Sequence, residues 1–266
     1  MRSFKTVSRF THGGDSQSMK LAAEARRLTV RVVPGTTVSA LYQKAPHARA
    51  LLVLAHGAGA GMTHPFMVAV ADRLAEVGVS TLRFQFPYME AGSKRPDRPA
   101  VAHAAIGAAV RKAAKLAPAL PLFAGGKSFG GRMTSQAQAL EPLPKVQGLV
   151  FLGFPLHPPE KPSAERAEHL SDTRIPLLFI QGTRDRLARP ALLRKVLKGL
   201  GKRASYRPIK DADHSFGVLV RSGRTNQEVL AEMAAVVGNW IASGKLAKRA
   251  AASRTEKAVV VEAVSR

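Results

Sequence analysis

Leu120-Pro-Leu-Phe-Ala-Gly-Gly-Lys-Ser-Phe-Gly-Gly-Arg132 is a short apolar run that stops at glycines enclosing one serine. Gly126, Ser128 and Gly130 fill a G-x-S-x-G pattern, the signature of a nucleophile elbow. In such a turn a buried parallel strand passes sharply into a helix, and the serine takes a strained backbone conformation. The turn would carry the Ser128 hydroxyl above the carboxyl edge of a sheet. It would also leave the Phe129 amide at a helix N-terminus, where negative charge is favoured. A phosphate loop is the nearest rival, because Gly126-Lys127-Ser128 copies its last three residues. That loop needs a glycine five positions before Gly126, and Pro121 stands there. A plain structural glycine turn is the other rival, and it asks nothing of the rest of the chain. An elbow does: it needs an acid and then a histidine, each just after a later strand.

Working outward, both are present. Val146–Leu152 and Ile175–Gln181 read as buried strands, and Asp185 follows the second past Gly182. A strand over Ala204–Ile209 leads into Asp211-Ala-Asp-His214. Ser128, Asp185 and His214 therefore follow in the order nucleophile, acid, base. Asp211 and Asp213 are too close in sequence to His214 to be its orienting acid. Upstream, Ala50–Ala55 is continuously apolar, as in a strand covered on both faces. It ends in His56-Gly-Ala-Gly-Ala-Gly61, where a second oxyanion donor belongs, and the Ala58 amide is the candidate beside that of Phe129. His56 reads as a packing residue of this loop. A dinucleotide fingerprint fails, since Gly61 comes two residues after Gly59 rather than three, and no acid follows about 20 residues on.

The remaining elements fill an α/β pattern. Leu28–Val33 and Thr37–Tyr42, split by Pro34-Gly35, predict an antiparallel edge. Helices are expected from Pro65, with Asp72 off its apolar face, over Pro99–Ala117, from Gly130 to Leu140, from Pro190, and over Asn226–Ala242. Val79–Phe84 is a further strand and empties into a polar loop, Gln85–Arg98. About 22 residues separate the strands ending at Leu152 and starting at Ile175, with a short helix near Ala164–Leu170, so only a minimal cap is expected. Lys127, Arg95, Arg98 and His157 are the candidate substrate-binding residues, the three cations suiting an anionic group.

The sequence of 266 residues, 45% hydrophobic, suffices for one α/β domain. We expect a loose basic leader over residues 1–27 with a short helix near Met19–Arg27, a domain over 28–242, and a basic, alanine-rich tail over 243–266. There is no cysteine, which excludes disulfides and cysteine-based metal sites and fits a reducing, cytoplasmic setting. No secretory pattern or membrane-spanning run is present, and neither a cofactor nor a metal is expected. The formal charge of +23 is spread along the chain and aromatics are only 6%. A nucleic-acid module would concentrate its charge in one stripe, so nucleic acid is not the expected partner. The charge fits weak, salt-sensitive attraction of anions.

His56–Gly61, Arg83–Glu90, Gly125–Arg132, Phe154–Pro159, Gln181–Asp185 and Asp213–Phe216 together resemble the α/β-hydrolase superfamily. Within it they are similar to the dienelactone-hydrolase-like clan, most closely the KANL/Tex-type hydrolase-like family, over about residues 50–242. The resemblance implies an α/β-hydrolase fold, a mostly parallel sheet flanked by helices. It places Ser128, Asp185 and His214 at the nucleophile, acid and base positions. The expected function is a serine hydrolase of a small ester or thioester. The alternative is a non-catalytic binding or scaffold protein that keeps the fold, with residues 245–266 as an interaction tail.

Overall fold

A computed structural model describes residues 25–243. The leader up to Glu24 and the tail from Gly244 lie outside the described residues, as does most of the expected Met19–Arg27 helix. The last two residues of that stretch, Arg26 and Arg27, instead open the first strand, so the domain starts slightly earlier than expected.

Eight strands form one sheet: β1 Arg26–Val33, β2 Thr36–Gln43, β3 Ala50–Ala55, β4 Val79–Phe84, β5 Leu122–Lys127, β6 Val146–Leu152, β7 Leu177–Gly182 and β8 Ala204–Ile209. Their spatial order is β1-β2-β4-β3-β5-β6-β7-β8. The β1 and β2 strands are the antiparallel edge, and every pair from β4 to β8 is parallel. The order reverses at β3, which has β4 on one side and β5 on the other. Such a switch point opens a crevice beyond the carboxyl ends of the two strands, where ligands bind.

Helices cover both faces. The α1 helix (Pro65–Glu76) and the α6 helix (Asn226–Ala242) lie on one; α3 (Pro99–Leu116), α4 (Phe129–Leu140) and α5 (Pro190–Leu200) lie on the other, and the four-residue α2 (Pro87–Glu90) sits in the polar loop. A strand turns successive side chains to opposite faces, and β3 shows what that requires here. Leu51, Val53 and Ala55 enter the core under α3 and α4, while Ala50, Leu52 and Leu54 enter the core under α1 and α6. Both sets are buried, which is why the strand reads as an unbroken apolar run. Truncating a residue as buried as Phe151 would cost about 3–5 kcal/mol.

Helix starts follow their sequences. Proline occupies the first turn of α1, α3 and α5, where its missing N–H costs nothing. Thr225 and Glu228 make a reciprocal capping box at the start of α6. Asp72, off the apolar face of α1, is nonetheless buried. The Gln43 side-chain amide donates to its carboxylate at 2.8 Å, and Gln43 in turn accepts from the Arg83 guanidinium at 3.1 Å. A polar cluster under the antiparallel edge thus buries this residue although it stands off the helix's apolar face. Between β6 and β7 the expected short helix is a 3-10 helix, Glu165–Thr173, and nothing larger is inserted above the sheet there.

Candidate functional site

The elbow forms as its glycines dictate. A Cβ on Gly126 would lie 2.2 Å from the Ala55 carbonyl oxygen, and one on Gly130 would lie 2.5 Å from that of His56. A side chain at Gly126 would force β5 away from β3, and one at Gly130 would force α4 away from it. Ser128, between them, has φ 50° and ψ −114°, a conformation that costs a non-glycine residue about 1–3 kcal/mol. Its amide donates to the Leu152 carbonyl at 3.1 Å, which holds the turn over the sheet edge.

Three side chains from three strand ends meet there. Ser128 Oγ lies 2.9 Å from His214 Nε2, and His214 Nδ1 lies 2.7 Å from Asp185 Oδ2. Asp185 is fully buried, whereas the imidazole keeps 24% exposure toward the crevice. The carboxylate is held from both sides: Leu187 N donates to Oδ1 at 2.8 Å, and Gln181 Nε2 donates to Oδ2. Gln181 also accepts from the Phe154 amide at 2.9 Å. Its clamping role was not read from the sequence; its place four residues before Asp185 at a strand end was the only available signal. Asp213 instead folds the loop behind His214, accepting from Ser215 N and Gly217 N at 2.8 and 2.9 Å. With Nδ1–H donated to Asp185, the Nε2 lone pair is free to take the Ser128 proton.

The two expected amides also stand beside Ser128. Phe129 N is the first amide of α4, with no acceptor one turn back. The glycine loop passes close: a Cβ on Gly57 would lie 3.8 Å from Ser128 Cβ. In that loop Gly59, Ala60 and Met62 donate to Tyr88, Gly57 and Gln85, whereas the Ala58 amide has no acceptor among the described residues. His56 holds the loop, donating from Nδ1 to the Gly57 carbonyl at 2.8 Å and accepting at Nε2 from Phe86 N at 3.1 Å. Burial pushes its pKa down to about 4, against a smaller opposing effect of the Gly57 hydrogen bond, so it stays neutral at pH 7 as a packing residue.

A cleft of about 540 Å³ opens over Ser128 and His214, walled by Ala58, Ala60, His64, Phe66, Met67 and Leu187. His64 caps α1, its Nδ1 accepting from Phe66 N at 3.2 Å, and its place in the wall is not visible in sequence periodicity. A larger hollow of about 750 Å³, beside Arg26, Tyr42 and Leu116, touches none of these residues. Among the described residues no cluster of histidine and carboxylate side chains could hold a metal ion.

The candidate substrate-binding residues divide. Lys127 lines the cleft, but its ammonium donates to the His214 backbone carbonyl at 2.7 Å and lies 5.6 Å from the centre of the Phe216 ring. Burial pulls its pKa down to about 8, with Asp185 and Asp213 partly offsetting this. Arg95 and Arg98 are exposed on the polar loop and line no part of the cleft. His157 is buried, donating to the Pro158 carbonyl and accepting from Arg189 N. Both ring nitrogens are spent on loop structure, which takes His157 out of substrate contact. An ammonium tied to the loop of His214 fixes that loop rather than reaching for a ligand. Lys127→Met is thus expected to lower kcat about tenfold or more on neutral and carboxylate-bearing esters alike, because misplacement of the imidazole by about 1 Å is costly. A rise in KM confined to the carboxylate ester, with kcat unchanged, would instead show a substrate-facing charge.

The model of the alpha/beta hydrolase domain family matches residues 48–242. The chain belongs to this family. This alpha/beta hydrolase also superposes on solved structures of similar size. A dienelactone hydrolase from Anabaena variabilis is 20% identical, with a TM-score of 0.65 over 83% of this chain and 97% of that one. An α/β serine hydrolase without a lid from Xanthomonas campestris is 19% identical, with a TM-score of 0.63 over 82% and 95%. The esterase Pf2001 from Pyrococcus furiosus is 15% identical, with a TM-score of 0.65 over 86% and 96%. These likenesses establish the α/β-hydrolase fold. No helix among the described residues is long and apolar enough to cross a membrane.

Proposed function

We propose that this alpha/beta hydrolase is a serine hydrolase of small ester or thioester substrates, of carboxylesterase type. One observation carries the reading: an unbroken line of hydrogen bonds from Ser128 Oγ through His214 to a buried, doubly clamped Asp185. As Ser128 Oγ attacks the substrate carbonyl carbon, its proton passes to His214 Nε2. Asp185 holds the tautomer and stabilises the imidazolium without taking the proton. The charge that develops on the carbonyl oxygen is received by the Phe129 and Ala58 amides, with the α4 N-terminus behind the first. His214 then gives its proton to the departing alkoxide or thiolate, leaving an acyl group on Ser128. Water, deprotonated by the same imidazole, releases the acid and restores the serine.

The open cleft and the short β6–β7 connection support a small or open-chain substrate. The motif blocks support the KANL/Tex-type family as the chain's place within its clan, and the cysteine-free sequence supports a cytoplasmic address. A fluorophosphonate probe tests the reading directly, since it reacts only with an activated serine. Covalent labelling is expected at Ser128 and is read by peptide mass spectrometry; labelling elsewhere, or no labelling of folded protein, would sink the assignment.

A further inference from the structure

His64 stands at the entrance of α1, in the wall of the cleft that holds Ser128 and His214. Its backbone is fixed on both sides: the amide donates to the Gly61 carbonyl and the carbonyl accepts from Val68 N, each at 3.1 Å. The ring is fixed as well, since Nδ1 accepts from Phe66 N at 3.2 Å and so caps the helix. That bond decides the tautomer. A neutral imidazole carries one hydrogen, and with the Nδ1 lone pair spent on a backbone N–H the hydrogen sits on Nε2. Burial, with the Lys127 ammonium as a second cause, lowers the pKa of the ring, which favours this neutral form at pH 7. The Nε2–H group has no hydrogen-bond partner among the described residues, and the mechanism above makes no use of it.

Most of the remaining wall is apolar. Ala58, Ala60, Phe66, Met67 and Leu187 contribute hydrocarbon, and Lys127 spends its ammonium on the His214 carbonyl. Ser215 lines the cleft too, but a rotating hydroxyl donates or accepts and so selects neither. An imidazole committed at Nδ1 can only donate. A substrate chain that is hydrocarbon where it passes His64 would strip water from this donor and leave it unpaired, whereas an oxygen at the same place would pair it. We propose that His64 Nε2–H is a specificity-determining donor, selecting esters that carry a second acceptor oxygen, ether or carbonyl, in the acyl or the alcohol part. The inference deepens the hydrolase reading and rests on it for the word ester. The sequence pointed to Lys127, Arg95 and Arg98 for an anionic group; a neutral donor in the wall suits an uncharged acceptor instead.

The test uses pairs of esters of equal size in which one oxygen replaces a methylene. On the acyl side these are p-nitrophenyl methoxyacetate against butyrate, and 3-methoxypropanoate against pentanoate; on the alcohol side, 2-methoxyethyl acetate against butyl acetate. Two variants separate the donor from the cap. His64→Ser keeps a good N-cap but is too short to replace Nε2, whereas His64→Gln extends an amide N–H about as far as Nε2 and gives up the cap. The preference is kcat/KM for the oxygen ester over that for its partner, and comparing it with wild type cancels intrinsic reactivity. In at least one pair it is expected to fall about three- to tenfold in His64→Ser and to persist in His64→Gln. The melting temperature should fall in His64→Gln alone. The pair that responds names the side of the ester that faces α1. Preferences unchanged in His64→Ser for every pair, or lost equally in both variants, would overturn the inference. So would a proton–nitrogen NMR spectrum that places the His64 hydrogen on Nδ1, a readout that needs no turnover. Wild-type protein inactive on every ester would end the hydrolase reading and this inference with it; unchanged preferences in an active enzyme would end this inference alone.

Discussion

Ser128→Ala is expected to lower kcat on a short-chain p-nitrophenyl ester by about 10³-fold or more, the loss that follows removal of a nucleophile. KM should change little, because the hydroxyl is a small part of a cleft otherwise walled by Phe66, Met67 and Leu187. The fold should survive. Ser128 makes no side-chain cap to α4, and alanine suffers the same backbone strain at φ 50° as serine does. Circular dichroism and a melting curve on the same preparation separate loss of chemistry from loss of structure. Activity within tenfold of wild type in a folded variant would place the nucleophile elsewhere.

Asp185→Asn is expected to cost nearly as much, about 10³- to 10⁴-fold in kcat, for a different reason. Every donor around this carboxylate is already spoken for: Leu187 N, Gln181 Nε2 and His214 Nδ1 all give hydrogens to it. An asparagine turned either way sets its own NH₂ against at least one of them. If it faces His214, it stabilises the imidazole tautomer whose Nε2 carries hydrogen and cannot take the serine proton. Stability should fall as well, since a buried donor loses its acceptor at a cost of about 1–3 kcal/mol. Steady-state kinetics with a melting curve check both effects. A variant with near wild-type kcat would remove Asp185 from the orienting role.

The parts of this molecule that the sequence displays are those set by apolar pattern and by chain order. Leu51 to Leu54 announce a strand covered on both faces because both faces demand apolar side chains. Ser128, Asp185 and His214 stand where strands run out, a position countable along the chain. Long polar side chains are different, since their partners come from distant segments. Asp72 stands off the apolar face of its helix, and its burial depends on Gln43, 29 residues earlier, which meets it under the sheet edge. Lys127 read as a candidate substrate-binding cation, and its ammonium reaches a backbone carbonyl 87 residues away. His157 and Gln181 spend their polar atoms on loops whose shapes no periodicity encodes.

Ser128 and the histidine it bonds are 86 residues apart, and His214 follows β8, the last strand to be made and an edge of the sheet. At a synthesis rate of about 5–20 residues per second, the ribosome releases the elbow roughly 4–17 s before the imidazole that would activate it. On the proposed mechanism, Ser128 would have only an ordinary, unreactive hydroxyl throughout that interval. On the mechanism proposed above, reactivity would arrive only with the docking of the final strand, after the whole domain has been made.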